Sequence, residues 1–284
     1  MSDLASLTPR RNANGANIPA IGLGTWQLRG SECVRAVSGA INIGYRHIDT
    51  AAMYENEVEV GEGLRACGLQ RSDIFVTTKV WTTEIAEGAL QVSATQSLKR
   101  LKLEQVDLLL IHWPNRSIPL AQSMKALCEV KRKGLARNIG VANFPVAMLE
   151  DAVRLAADEG EALATNQCEY HPLLSQAKLL EACRKHNIAF VSYCPVGKAQ
   201  LFAHPTIATI AKTHNKAPSQ IILRWHLQQP DVVAIPKSGS AAHQLENLSI
   251  FDFELSQDEM RAIHGLAQRG GRMVDPSFAP DWDR

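Results

Sequence analysis

The chain has 284 residues, 45% of them hydrophobic, enough apolar material to bury one full core without a second domain. Lys plus Arg number 30 against 29 Asp plus Glu, so no net field favours nucleic acid or an acidic membrane surface, and small molecules are the expected partners. Six scattered cysteines (Cys33, Cys67, Cys128, Cys168, Cys183, Cys194) lack paired or zinc-like spacing, which predicts reduced thiols and no metal site. No basic segment leads an apolar core and no run approaches about 20 apolar residues, so the expected location is cytoplasmic, with no membrane association.

In chain order, the Asn14-Gly15 pair predicts a tight hairpin turn ahead of the first apolar run. Short apolar runs then recur at 18–23, 45–48, 74–77, 106–111, 137–141, 162–165, 188–192 and 232–235. Between them lie stretches with helical spacing, among them 33–43, 57–66, 86–101, 117–132, 145–157 and 175–186. Strands alternating with helices imply parallel pairing through crossover helices. Eight such units at about 30 residues each predict a (β/α)8 TIM barrel rather than an open doubly wound sheet, with the N-terminal β-hairpin as a plug in one end. No low-complexity linker interrupts the alternation, so residues 1–284 read as one domain.

In a barrel, residues at the C-terminal ends of the strands face the active site. The second run ends in Arg46-His47-Ile48-Asp49-Thr50 and leads to Tyr54; the third ends in Thr78-Lys79-Val80-Trp81; the fourth ends in Ile111-His112-Trp113-Pro114. Each residue has a plain alternative: Asp49 a cap, Tyr54 packing, Lys79 a rim charge, His112 a core histidine. Four ionisable groups at three consecutive strand ends are harder to explain by packing, because Lys and Asp resist burial unless paired.

These residues, with Gly22-Leu23-Gly24-Thr25-Trp26, Asn166-Gln167-Cys168-Glu169-Tyr170-His171-Pro172 and Ile235-Pro236-Lys237-Ser238, make the chain resemble the aldo-keto reductase superfamily over roughly residues 12 to 284. The short tail, Ala279-Pro280-Asp281-Trp282-Asp283, is similar to the bacterial diketogluconate and methylglyoxal reductase branch. The resemblance implies NADPH-dependent reduction of a carbonyl, with Asp49, Tyr54, Lys79 and His112 as the catalytic tetrad and a monomer as the default state.

The chemistry can also be reasoned directly. A carbonyl accepting hydride develops alkoxide charge and needs a proton donor beside it. An ammonium about 4 Å from a phenol, at an effective dielectric near 20, favours phenolate by roughly 4 kcal/mol, or about three pKa units. That arithmetic predicts that Lys79 brings Tyr54 close to neutrality, with Asp49 positioning Lys79. His112 would orient the substrate by a hydrogen bond, and Trp26, Trp81 and Trp113 would wall the substrate pocket.

For the cofactor, Gly61-Glu62-Gly63-Leu64-Arg65-Ala66 imitates a dinucleotide fingerprint, but it lies inside one helical stretch without a preceding strand and fails on context. What the resemblance implies instead is an extended dinucleotide across the mouth, with Thr25 in the cofactor-binding set. Asn143 and Gln167 would hold the carboxamide and Tyr193 would stack on the ring. Lys237 and Ser238 would meet the 2′-phosphate, and Glu246 with Asn247 the adenine. Two positions depart from the family: Ala142 stands where a carboxamide-binding Ser is usual, and His243 where an Arg clamps the phosphate. The second departure predicts NADPH as the preferred cofactor and NADH as a usable second one.

Rival readings are a Schiff-base lyase using Lys79, a barrel metallohydrolase, and a cofactor-binding scaffold without turnover. The short segments after His112 and after Ala267 predict an open, relatively polar pocket suited to small oxo-aldehydes or keto-sugar acids.

Overall fold

The computed structural model describes residues 4–283; residues 1–3 and 284, the two ends of the expected domain, lie outside the described residues. After a short helix, α1 (Leu4–Leu7), the chain forms a hairpin of β1 (Arg10–Ala13) and β2 (Ala16–Pro19) in antiparallel register. Asn14 and Gly15 take φ of 44° and 90°, the left-handed pair that a two-residue hairpin turn requires. Asn14 Nδ2 donates to the carbonyls of Leu163 (2.8 Å) and His186 (3.0 Å), and the Arg11 guanidinium donates to those of Leu227 and Val232. The turn thus fastens the hairpin across one end of the barrel, and Ala13, Ala16 and Ile18 are buried with Leu108, Ala164 and Val233 in the interior.

Eight parallel strands come next: β3 (Leu23–Gly24), β4 (His47–Asp49), β5 (Phe75–Val80), β6 (Val106–Ile111), β7 (Ala136–Ala142), β8 (Leu163–Glu169), β9 (Ala189–Tyr193) and β10 (Val232–Ala234). Each pairs with the next in sequence, and bridges from Ile21 to Ala234 and from Gly24 to Lys237 join the first strand to the last. Every residue of β5, β6 and β8 is buried, as a parallel sheet covered on both faces demands. Seven of the eight apolar runs overlap barrel strands directly. The run at 18–23 divides: Ile18 and Pro19 belong to the hairpin, whereas Ile21, bridged to Ala234, and Leu23 belong to the barrel, because the chain must turn from the plug into the wall.

The six predicted helical stretches appear as α2 (Gly30–Ile43), α3 (Glu57–Ala66), α4 (Ala89–Leu101), α5 (Leu120–Arg132), α6 (Val146–Asp158) and α7 (Ala177–Lys185). Some start later than apolar spacing suggests. Gly88, at φ 84°, donates its N–H to the Gln91 side chain and so begins α4 three residues after position 86. Four more helices complete the outer layer: α8 (Pro205–His214), α9 (Pro218–Leu227), α10 (Ala241–Leu248) and α11 (Gln257–His264). Gly61 and Gly63 lie within α3, where a Cβ would stand 2.3 Å from the Leu101 carbonyl oxygen or 2.7 Å from Val37 Cβ. These glycines serve close helix packing, which accounts for the imitation of a phosphate loop.

Candidate active site

Asp49 closes β4, Lys79 is the penultimate residue of β5, and His112 follows the end of β6. Tyr54 ends a single 3₁₀ turn, Ala52–Tyr54, just beyond β4. The mouth is therefore where the chain brings all four together. Lys79 Nζ donates to Asp49 Oδ1 at 2.5 Å and to the Thr50 carbonyl at 2.8 Å, and stands 3.4 Å from the Tyr54 hydroxyl. The Tyr54 and His112 rings meet edge to face at 5.6 Å, and Trp81 packs on the far side of His112 at 5.2 Å.

Asp49 and Lys79 are completely withdrawn from solvent, which sets the electrostatics. Burial opposes the charge on Lys79, but Asp49 and the Tyr54 hydroxyl outweigh it, and the ammonium is held above its ordinary pKa. An ion-paired, protonated lysine is a poor nucleophile, so the geometry argues against a Schiff-base role. Burial raises the Tyr54 phenol, and the Lys79 charge offsets this only in part while Asp49 adds to it. The expected descent of Tyr54 toward neutrality is thus corrected: the pairwise arithmetic left out desolvation, which dominates here. His112 is driven well below its usual pKa by burial and then by Lys79, and is neutral.

A cavity of about 450 Å³ opens on this cluster, with Asp49, Tyr54 and His112 in its wall. A cavity of about 480 Å³ on the barrel flank, between α7, α9 and α11, touches none of the four, so size alone does not mark the site. Of the cofactor candidates, Thr25, Asn143, Gln167, Tyr193 and Lys237 line the cavity that opens on this cluster. Thr25 donates its hydroxyl to the Asp49 carbonyl at 3.0 Å. Gln167 donates its amide to Asp49 Oδ2 at 2.8 Å, Asn143 donates to the His112 carbonyl at 3.0 Å, and the Tyr193 hydroxyl donates to Asn143 Oδ1 at 2.8 Å. Asn143 holds a left-handed φ of 64°, strain that a non-glycine residue carries to aim its side chain into the mouth.

The remaining candidates lie beyond the cavity. Ser238 exchanges hydrogen bonds with the Ser240 backbone, and Ser240 caps α10 by accepting from the His243 N–H at 3.4 Å. His243 is exposed on the first turn of that helix, Glu246 accepts from the Ser219 hydroxyl at 2.5 Å, and Asn247 is buried. Among the described residues, no group of three or more His, Cys, Asp or Glu could hold a metal ion.

Trp26 and Trp113 line the cavity, whereas Trp81 does not and packs instead on His112. The expectation of a relatively polar pocket is corrected, because Met53, Trp113, Val196, Ile235 and Val274 make most of its wall apolar. The chain after α11 returns over the mouth, Val274 enters the cavity wall, and Phe278 packs edge to face on Trp81 (5.7 Å) and Trp113 (5.6 Å). Met53, Cys194, Lys198 and Val274 line the site and were absent from the candidates. Cys194 follows Tyr193 directly past a strand end and was within reach of the strand-end rule. Val274 belongs to a tail without periodicity and left no such signal.

The profile of the Aldo/keto reductase family matches residues 20–268. Methylglyoxal reductase DkgB of Yersinia pestis is 38% identical over 270 residues, spanning 94% of this chain and 100% of that protein. A solved structure provisionally described as 2,5-diketo-D-gluconic acid reductase B superposes with a TM-score of 0.95 at 41% identity, covering 99% of both chains. The Bombyx mori aldo-keto reductase, solved in complex with NADP, superposes with a TM-score of 0.87 at 32% identity over 97% of both chains. The chain belongs to the aldo/keto reductase family.

Proposed function

We propose that this chain reduces small aldehydes and ketones, oxo-aldehydes and keto-sugar acids among them, to alcohols with NADPH, and that Tyr54 is the proton donor. The observation that carries the reading is the run of contacts from Asp49 through Lys79 to Tyr54, facing neutral His112 across one cavity.

The side chains present fit a nicotinamide dinucleotide. Asn143 and Gln167 keep amide oxygens able to accept from a carboxamide, Tyr193 offers a ring beside them, and Lys237 adds a cation at the cavity edge. Ala142 removes one donor from that set, at about 1 kcal/mol. The bound dinucleotide supplies the hydride. Ser238 and His243 extend the Lys237 end toward a 2′-phosphate, and Glu246 and Asn247 stand next along α10 for the adenine.

The remaining work belongs to side chains of this chain. Tyr54 remains protonated at neutral pH because burial raises it, so it holds the proton that an alkoxide needs. Lys79 places positive charge beside that oxygen as negative charge develops, and Asp49 holds Lys79 in place. His112 Nδ1 is buried without a partner. An orphaned acceptor is more tolerable than an orphaned N–H, so we assign the ring proton to Nε2, where it can donate to the substrate carbonyl. The domain is taken as 1–284, cytoplasmic and monomeric, with NADH as the weaker second cofactor.

Mixing the protein with NADPH and methylglyoxal tests the reading: loss of nicotinamide absorbance supports it. Cofactor binding without oxidation across a broad carbonyl panel overturns it in favour of a scaffold.

A further inference from the structure

Glu169, the last residue of β8, is fully buried at the mouth yet takes no part in the proposed chemistry. Its carboxylate is occupied by the C-terminal tail. Oε1 accepts from the Met273 N–H at 2.7 Å and Oε2 from the Val274 N–H at 2.9 Å. His171 Nε2 lies 2.9 Å from Oε1, and the Arg272 guanidinium lies 3.8 Å from Oε2. A carboxylate is buried at such a place only against several donors, and half of these are tail backbone.

From that anchor the tail builds a wall. Val274 lines the catalytic cavity, the Arg272 guanidinium stacks 3.6 Å from the Trp282 ring centre, and Trp282 donates to Asp275 at 2.8 Å. Trp282 and Phe278 then rest on Trp113. The far end of the tail is held by Asp283, whose Oδ2 accepts from the Val146 N–H at the start of α6 at 2.9 Å, and by an ion pair between Arg116 and Asp281 whose side chains are 66% and 98% exposed, a contact of little strength. Upstream, Gly271 passes so close to Leu173 that a Cβ would stand 1.9 Å from its carbonyl oxygen, so the path into the anchor admits only glycine.

We infer that Glu169 is a positioning residue that sets substrate selectivity: it fixes residues 272–274 and thereby the placement of Val274 in the cavity wall and of Phe278 and Trp282 against Trp113, which shares that wall. The selectivity part rests on the carbonyl-reductase reading; the anchoring part does not. A small oxo-aldehyde needs less of the cavity than an aromatic aldehyde does, so the placement of this wall should matter more to the aromatic substrate.

Two substitutions disturb the anchor by different routes. Glu169→Gln keeps the shape but offers one oxygen where two N–H groups point, and Gly271→Ala leaves the carboxylate while pushing the tail away. Each folded variant is measured in three ways: amide exchange at Met273 and Val274, NADPH affinity by quenching of tryptophan fluorescence, and KM and kcat for methylglyoxal and 4-nitrobenzaldehyde. The expected result is exchange faster by about tenfold or more, with KM for 4-nitrobenzaldehyde up by about tenfold. The methylglyoxal KM should stay within about threefold and NADPH affinity within about twofold. Adding Trp282→Ala to Glu169→Gln should raise the aromatic KM no further, because both act through one wall. Unchanged exchange at the two amides, or an equal rise in both KM values, overturns the inference. If Glu169→Gln does not fold, Gly271→Ala decides the matter. Should the wild type reduce neither carbonyl, the reductase reading and the selectivity role fall together, while amide exchange still decides the anchor.

Discussion

Gln167 donates its side-chain amide to Asp49 Oδ2 at 2.8 Å, so with Lys79 on Oδ1 both oxygens of this buried carboxylate are engaged. Asp49→Asn keeps the shape and removes the charge, leaving the Lys79 ammonium buried and unpaired. Breaking one half of a buried pair costs about 3–5 kcal/mol. Calorimetry at neutral pH should show Tm lower by roughly 5–15 °C. An unchanged Tm would show that Lys79 does not depend on Asp49.

Tyr54→Phe removes the proposed proton donor and little else, so kcat should fall by about a hundredfold or more with NADPH affinity retained. Since burial raises Tyr54 and lowers His112, both keep one protonation state near neutrality. Wild-type kcat for reduction should accordingly be level from about pH 6 to about 9. A decline centred near pH 7 would mean that Lys79 overcomes desolvation after all. Lys79→Met should cost most of the activity and push any alkaline decline to higher pH, since it removes the Lys79 cation that stabilises the phenolate.

Buried neutral histidines predict the acid limit of stability. Burial depresses His47 to about 4 and His226, whose Nε2 meets the Pro195 carbonyl, to about 3. In the unfolded chain each titrates near 6.5, so between these values the unfolded state binds the extra proton. Their contribution is complete above about pH 6.5 and declines as pH falls, at about 1.4 kcal/mol per pH unit for each histidine. Denaturant titrations from about pH 7 to 4 read the slope, and His226→Gln should lower it by about one proton. An identical slope in the variant would contradict this origin.

His243 projects from the first turn of α10, beyond Lys237 and Ser238. If these residues meet a 2′-phosphate, His243→Arg adds one charge-assisted fork worth roughly 1.5–3 kcal/mol. The ratio of kcat/KM for NADPH over NADH should rise by about ten- to a hundredfold. No response to Arg would place His243 away from the phosphate.

The meeting of Asp49, Tyr54, Lys79 and His112 at one mouth was legible in the sequence because barrel strands are apolar runs, and an ionisable residue just past such a run has one place to point. The first strand was less legible: the apolar stretch around Ile18 to Leu23 is continuous in hydrophobicity, and nothing in it marks where the hairpin ends and the wall begins. The protonation of Tyr54 was misjudged because proximity to Lys79 can be inferred from spacing, whereas withdrawal from water depends on Trp26 and other neighbours distant in sequence. The tail was illegible for a related reason. Its position is set by Glu169, about a hundred residues upstream, and no local periodicity announces so long-range a hydrogen bond.

The seam between the barrel's first and last strands rests on bridges from Ile21 to Ala234 and Gly24 to Lys237, and the hairpin turn rests on carbonyls of Leu163 and His186. During synthesis these partners emerge long after the segment that needs them. Residues 10–24 can form their hairpin early but must wait for β8 to β10 before burying Ile18, so ring closure is a late event of high contact order. Until that moment β3 exposes an unpaired edge, and a chain stalled before residue 234 is an open sheet prone to pairing with its neighbours.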